Sequence, residues 1–179
     1  MIQKPMFSPQ TEWLPPESFP DLSKHDEIAI DLETKDPGLK TMGSGSVTGK
    51  GRIVGIALAV DNWSGYYPIA HEGGGNMDEK IVMDYFRTVL NLPARKIFHN
   101  AMYDVCFIRA AGLKINGEIV DTMIAGSLVD ENRFRYDLGS MGRDYLGRGK
   151  NEAVLNETAA IWGVDPKSEM YKLPAMYVG

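Results

Sequence analysis

The sequence is poor in cysteine: Cys106 is the only one in 179 residues. A single thiol closes no internal disulfide, so a reducing, cytoplasmic setting is the expected one. No apolar run approaches the roughly 20 residues that a membrane helix needs, and no membrane partner is expected. Residues 1–20, MIQKPMFSPQTEWLPPESFP, carry five prolines and no apolar centre, so they do not read as a signal peptide. Basic charge is in deficit, with 19 Lys and Arg against 24 Asp and Glu. That argues against a general polyanion binder. It leaves open a nucleic-acid enzyme, because bound cations invert the sign of an acidic site.

The chain is long enough for one domain with a proper core. Residues 1–24 read as an extended, proline-rich lead-in, packed on the domain through Trp13 and Phe19. Residues 25–179 read as the domain itself. EIAIDLETK (27–35) alternates as a strand does. The Gly- and Ser-rich stretch 36–51 reads as a flexible loop. RIVGIALAV (52–60) is nearly all apolar, as in a strand covered on both faces. YYPIA (66–70) returns as a strand, and Pro68 places it at a sheet edge. A helix follows over 76–92, with Asn76 and Glu79 as a capping box and an apolar face of Ile81, Val82, Tyr85, Phe86, Val89 and Leu90. Then come strand 95–99, a helix from Asn100 to Gly112, strand 117–121 and further helices. The class is α/β, a mixed five-stranded sheet with flanking helices.

Asp31 and Glu33 end the first strand. Side chains two apart share a face, so the two charges repel, and partial burial raises the cost. A divalent cation relieves this best, since hard ions take oxygen ligands. The plainer alternative is a solvated strand end with both acids in water. Asp104 lies one turn into the helix that follows strand 95–99. Loops beyond the strand ends of an α/β sheet gather ligand groups at one edge, so a third carboxylate can arrive there. Alternatively, Asp104 is a favourable charge near a helix N-terminus.

Together, D-x-E on a first strand and N-x-x-Y-D at a helix start resemble the first two motifs of the DEDD (DnaQ-like) 3′–5′ exonucleases. IAIDLETKDPGL, IVGIALAVD, YYPIAHEGGGN, HNAMYDVCFI and DTMIAGSLVDEN are similar to the proofreading domain of phage-type family A DNA polymerases. The resemblance implies a ribonuclease H-like fold and hydrolysis at the 3′ end of single-stranded DNA with two Mg²⁺ or Mn²⁺ ions. Asp31, Glu33 and Asp104 would be the catalytic metal ligands. Leu32, Thr34, Asn100 and Tyr103 would contact the substrate. A polymerase domain in a parent protein and a bacterial or phage-infected cell are implied as well. The alternative is a non-catalytic nucleic-acid-binding or scaffold domain of the same fold.

The sequence departs from this pattern in one respect. The family's third motif, Y-x-x-x-D or H-x-x-x-x-D, supplies a fourth acid. Tyr136, Tyr145 and Tyr171 are followed four residues on by Ser140, Gly149 and Ala175. The expectation is a domain truncated before this motif, with weak or absent activity as it stands, unless a partner chain completes the site. Among weaker signals, Asp121 suits an N-cap better than a metal ligand. Cys106 suits the core better than a nucleophile's place. His99 fits the site and a satisfied core position equally. Arg133, Arg135, Arg143, Arg148 and Lys150 form a basic run that suits a phosphate track or a solvated face.

Overall fold

The computed structural model describes residues 10–179. Five strands form one mixed sheet: β1 (Glu27–Lys35), β2 (Arg52–Val60), β3 (Trp63–Pro68), β4 (Arg95–Phe98) and β5 (Ile119–Asp121). Their order is β3-β2-β1-β4-β5, which puts β3 at an edge as Pro68 required. β1–β2 and β2–β3 pair antiparallel, whereas β1–β4 and β4–β5 pair parallel. The helices are α1 (Leu39–Met42), α2 (Gly45–Thr48), α3 (Glu79–Asn91), α4 (Ala101–Ala110), α5 (Thr122–Val129), α6 (Leu138–Leu146) and α7 (Ala153–Trp162). Among the described residues no helix is long and apolar enough to cross a membrane.

Alternation along β1 sends Ile28, Ile30 and Leu32 to one face. There they join Ile56 and Leu58 of β2, Val82, Phe86, Val89 and Leu90 of α3, and Val105, Phe107 and Ile108 of α4 in one core. Burying each large side chain contributes roughly 1.5–3 kcal/mol. The other face carries Ala29, Asp31 and Glu33, in register with Ala59, Ala57 and Gly55. These small neighbours keep it low, and a cavity of about 530 Å³ lies over it, walled by Trp13, Tyr66 and Leu138. β2 is therefore densely covered on one face only. The lead-in packs through aromatic rings. Phe19 lies 5.3 Å from Tyr67 and 4.9 Å from Tyr85, and Trp13 lies 5.9 Å from Tyr66.

Three local expectations change. Residues 36–51 are not a featureless loop: they form the single turns α1 and α2. The carboxylate of Asp36 accepts the Gly45 amide at 3.0 Å, and Ser44 caps α2. The helix predicted from Asn76 starts at Glu79, because Asp78 takes the capping role and accepts the Ile81 amide at 2.9 Å. Asn76 instead bridges its side chain to the backbone of His71, accepting at 2.7 Å and donating at 2.8 Å. Ile81, in the first turn, is 56% exposed and lies outside the buried stripe of Val82, Phe86, Val89 and Leu90. Strand β3 ends at Pro68, and the amides of Ile69 and Ala70 both turn to the carbonyl of Val54. Val54 sits where the β1–β2 register shifts between Glu33 and Thr34. Such irregularities bend a strand and re-aim its side chains, and they recur beside functional sites.

Lys96 on β4 is fully buried. Its ammonium donates to the carbonyls of Leu92, Ala94 and Asn116, tying the end of α3 to the sheet. Those three acceptors answer the need of a buried cation for hydrogen bonds.

Candidate active site

The site begins where two strands part. The pairing of β1 with β4 ends at Ala29 and Ile97. β4 stops at Phe98, and only His99 and Asn100 separate it from α4. Beyond the last paired residue, the amide of Leu32 donates to Oδ1 of Asp104 at 3.0 Å. The acid on α4 is thereby fastened to the backbone between Asp31 and Glu33. Asp104 is 4% exposed and belongs to the buried side of its helix.

Asp121 holds the start of α4 in place. Its Oδ1 accepts from the amides of Asn100 at 3.0 Å and Met123 at 2.9 Å, and its Oδ2 accepts from Ala101 at 2.8 Å. One carboxylate thus caps α4 and α5 together, the role its strand–helix junction suggests. Asn100 takes the left-handed conformation at φ 66°, which Asn tolerates better than most residues.

The three acids feel one another. Burial raises the Asp104 carboxyl to about 7, and repulsion from Asp31 adds to it, while the Leu32 amide opposes the rise. Burial raises Glu33 to about 8, helped by the charges of Asp31, Asp104 and Glu152. Asp31 opens to solvent, yet burial of its carboxyl by the surrounding protein raises its pKa too, against the charge of Lys150. Among the described residues none of the three makes a salt bridge. An all-oxygen donor set with an uncompensated negative charge suits a hard divalent cation. The same described residues contain no group of three or more His, Cys, Asp and Glu side chains arranged to hold a metal ion. The donor chemistry fits, and the ligand cluster is not drawn closed.

The residues expected at the substrate differ in what they offer. The Leu32 side chain lies in the core, 6% exposed, so its contribution to the site is the amide that holds Asp104. Alternation turns its side chain away from the face of Asp31. The Tyr103 hydroxyl donates to Asp36 Oδ2 at 3.2 Å and lies 2.7 Å from Thr34 Oγ1. With its one proton directed to Asp36, it receives the Thr34 proton, and burial lifts its pKa to about 12. Tyr103 therefore has its ring to offer rather than its hydroxyl. Asn100 is exposed and lines a cleft of about 550 Å³.

One neighbour, Tyr66, was not singled out by the sequence. Tyr66 pairs in register with Ala57, itself the partner of Asp31. Its hydroxyl reaches over Gly55, the partner of Glu33: a Cβ there would lie 2.0 Å from Tyr66 Oη. Tyr66 Oη lies 2.5 Å from His71 Nε2. Burial pushes the phenol up, aided by Glu33 and Asp31, and burial lowers His71 to about 4. A protonated phenol thus donates to a neutral imidazole. His99 Nδ1 lies 2.9 Å from Thr122 Oγ1, whose proton goes to the Phe98 carbonyl at 3.0 Å. Nδ1 is then the donor of that pair. Strand alternation from β1 through β2 to β3 would reveal Tyr66 once the register is known, but the register is not in the sequence.

Residues 7–175 match a family model described as 3′–5′ exonuclease. The chain belongs to the 3′–5′ exonuclease family. It is a DnaQ-like exonuclease domain that resembles the proofreading domain of family A polymerases. It is 33% identical over 190 aligned residues to a DNA-directed DNA polymerase of Pseudomonas phage M6, covering 99% of this chain and 28% of that one. The exonuclease domain thus spans less than a third of that relative's length. Solved structures share its ribonuclease H-like fold. Brucella melitensis NrnC with bound Mg²⁺ superposes with a TM-score of 0.55 at 18% identity, over 73% of this chain and 58% of that one. Escherichia coli RNase D, an exoribonuclease, superposes with a TM-score of 0.53 at 14% identity, over 87% and 37%.

Proposed function

We propose that this exonuclease domain removes nucleotides from the 3′ end of single-stranded DNA, with Asp31, Glu33 and Asp104 holding two Mg²⁺ or Mn²⁺ ions. The observation that carries the reading is the Leu32–Asp104 hydrogen bond, which brings a third carboxyl to the strand that bears the other two. The raised pKa values of Glu33 and Asp104 support it, because they mark negative charge short of a partner. When bound, a pair of divalent ions supplies an activated water and stabilises the leaving 3′ oxygen. The chain's own residues bind and orient. Asp31 and Glu33 face the substrate side of β1, and Asp104 is held rigid by the Leu32 amide. The Tyr103 ring offers a stacking surface for a terminal base, which needs no sequence reading. Asn100, at the mouth of the cleft, contacts the terminal nucleotide.

DNA is favoured as substrate because the phage relative is a DNA polymerase. We place the domain beside a polymerase domain in its parent protein, in the cytoplasm of a bacterial or phage-infected cell. A second reading, a binding domain without catalysis, is favoured by the ligand cluster that is not drawn closed. Incubation with 5′-labelled single-stranded DNA or RNA and Mg²⁺ or Mn²⁺ separates the two. Weak stepwise 3′ shortening of DNA, abolished by Asp31→Ala and by chelation, is the expected result, and robust digestion would show that the fourth acid is not needed. Binding of the oligonucleotide without shortening under either metal would favour the second reading instead.

A further inference from the structure

Glu33 opens onto one of two adjoining clefts, and Lys150 lines both. A cleft of about 350 Å³ is lined by Glu33, Lys150 and Glu152. The cleft of about 550 Å³ is lined by Asn100, Arg143, Lys150 and Lys167. Lys150 lies on the exposed segment 147–152 between α6 and α7 and borders both. Two other cations of the basic run are engaged within the chain. Arg133 is held by Asp144 at 2.6 Å and lies over the Tyr145 ring, and Arg143 donates to Ser140 Oγ at 3.1 Å. Among the described residues Lys150 has no such ion pair. Of the acids in the larger cleft, Asp137 is occupied in capping α6, at 2.9 Å from the Ser140 amide. Glu152 acts on Glu33 with like charge.

We propose that the larger cleft carries the phosphodiester backbone of the strand, and that Lys150 is the positioning residue at its inner end, holding the phosphate next to the one cleaved. The proposal rests on the exonuclease reading above. An ammonium on a flexible stem is a movable point charge with three donors. Lys150 lines the same cleft as Glu33, so its charge stands beside the proposed metal-binding acids. When cations neutralise those acids, that attraction is cancelled and a phosphate becomes the better partner. Arg143 and Lys167 add positive charge to the lining of the same cleft. Lys150 therefore does two opposed things: it competes with the divalent ions and it supports the strand.

Opposed effects make the test specific. Lys150→Met keeps the length of the stem and removes the charge. In the full chain, affinity for a fluorescent single-stranded oligonucleotide is measured by anisotropy in Ca²⁺, with its intactness checked on a gel. Affinity for Mn²⁺ is measured by calorimetry without DNA. The expected result is about a fivefold loss of strand affinity and a salt slope shallower by about 0.7, the share of one phosphate contact. Mn²⁺ affinity should rise about threefold, because a repelling charge is gone. Lys150→Arg should restore strand binding. Unchanged strand affinity and salt slope in Lys150→Met, or a fall of both affinities together, would overturn the proposal. If the unmodified chain binds no oligonucleotide, the exonuclease reading itself fails; if it binds and Lys150→Met binds equally, only the lysine's role fails.

Discussion

The amide of Leu32 donates to the carboxylate of Asp104 across 3.0 Å, joining residues 72 apart in sequence. This bond places an acid of α4 beside the two acids of β1, and it gives the amide its partner where β4 has parted from the strand. It separates two properties of Asp104, its shape and its charge. Asp104→Asn keeps an acceptor for Leu32 and removes the charge. The expected outcome is a thermal midpoint equal to or above that of the unmodified protein without metal, with metal affinity and nuclease activity lost. Asp104→Ala leaves a buried amide unsatisfied and should cost about 1–3 kcal/mol in a urea titration.

The pH dependence of the metal-free protein follows from Glu33. Its pKa rises from an ordinary 4.5 to about 8 in the fold. Between those values the folded protein keeps a proton that the unfolded chain releases. The stabilisation is complete below about pH 4.5 and drains away as pH rises through about 8. Asp104, raised to about 7, acts in the same direction. In chelator, the melting temperature should fall between pH 5 and about pH 8, and Glu33→Gln should flatten that fall. A profile that rises through this window would contradict the assignment.

Asp121 should prove structural. Asp121→Ala removes the acceptor of three amides and should cost about 2 kcal/mol or more, read from denaturant unfolding. Asp121→Asn keeps part of the cap. It should leave Mn²⁺ affinity within about twofold of the unmodified protein, whereas Asp31→Asn should abolish it. Equal losses from the two variants would make Asp121 a ligand.

Gly55 and Tyr66 are coupled. A methyl group on Gly55 would meet the Tyr66 hydroxyl, so Gly55→Ala should destabilise by about 1–3 kcal/mol. Truncating the ring removes the clash. Gly55→Ala combined with Tyr66→Ala should therefore be less destabilised than the sum of the single variants, by about 1 kcal/mol or more. Strict additivity in such a cycle would show that the two residues do not share the space.

Much of the architecture was legible in the chain. β1, β2, α3 and α4 read from their apolar patterns, because each sends Ile, Leu, Val or Phe into the core. The turns α1 and α2 were not legible. They depend on Asp36 reaching the Gly45 amide, a contact that composition does not announce. Asn76 passed for a helix cap because Asp78 carries the same chemistry two residues later, and the backbone path decided between them.

By itself the sequence determined the strand that presents Asp31 and Glu33 on one side, since alternation is a local property of extended backbone. It also offered Asp104, one turn into the helix after strand 95–99, as a candidate to join them. Only the tertiary structure decided that Asp104 binds the Leu32 amide, that Asp121 serves two helices, and that Tyr66 and Lys150 border the acids. Each of these depends on strand register and on contacts between segments far apart in the chain. No local pattern encodes such distances, and they are set when the core packs.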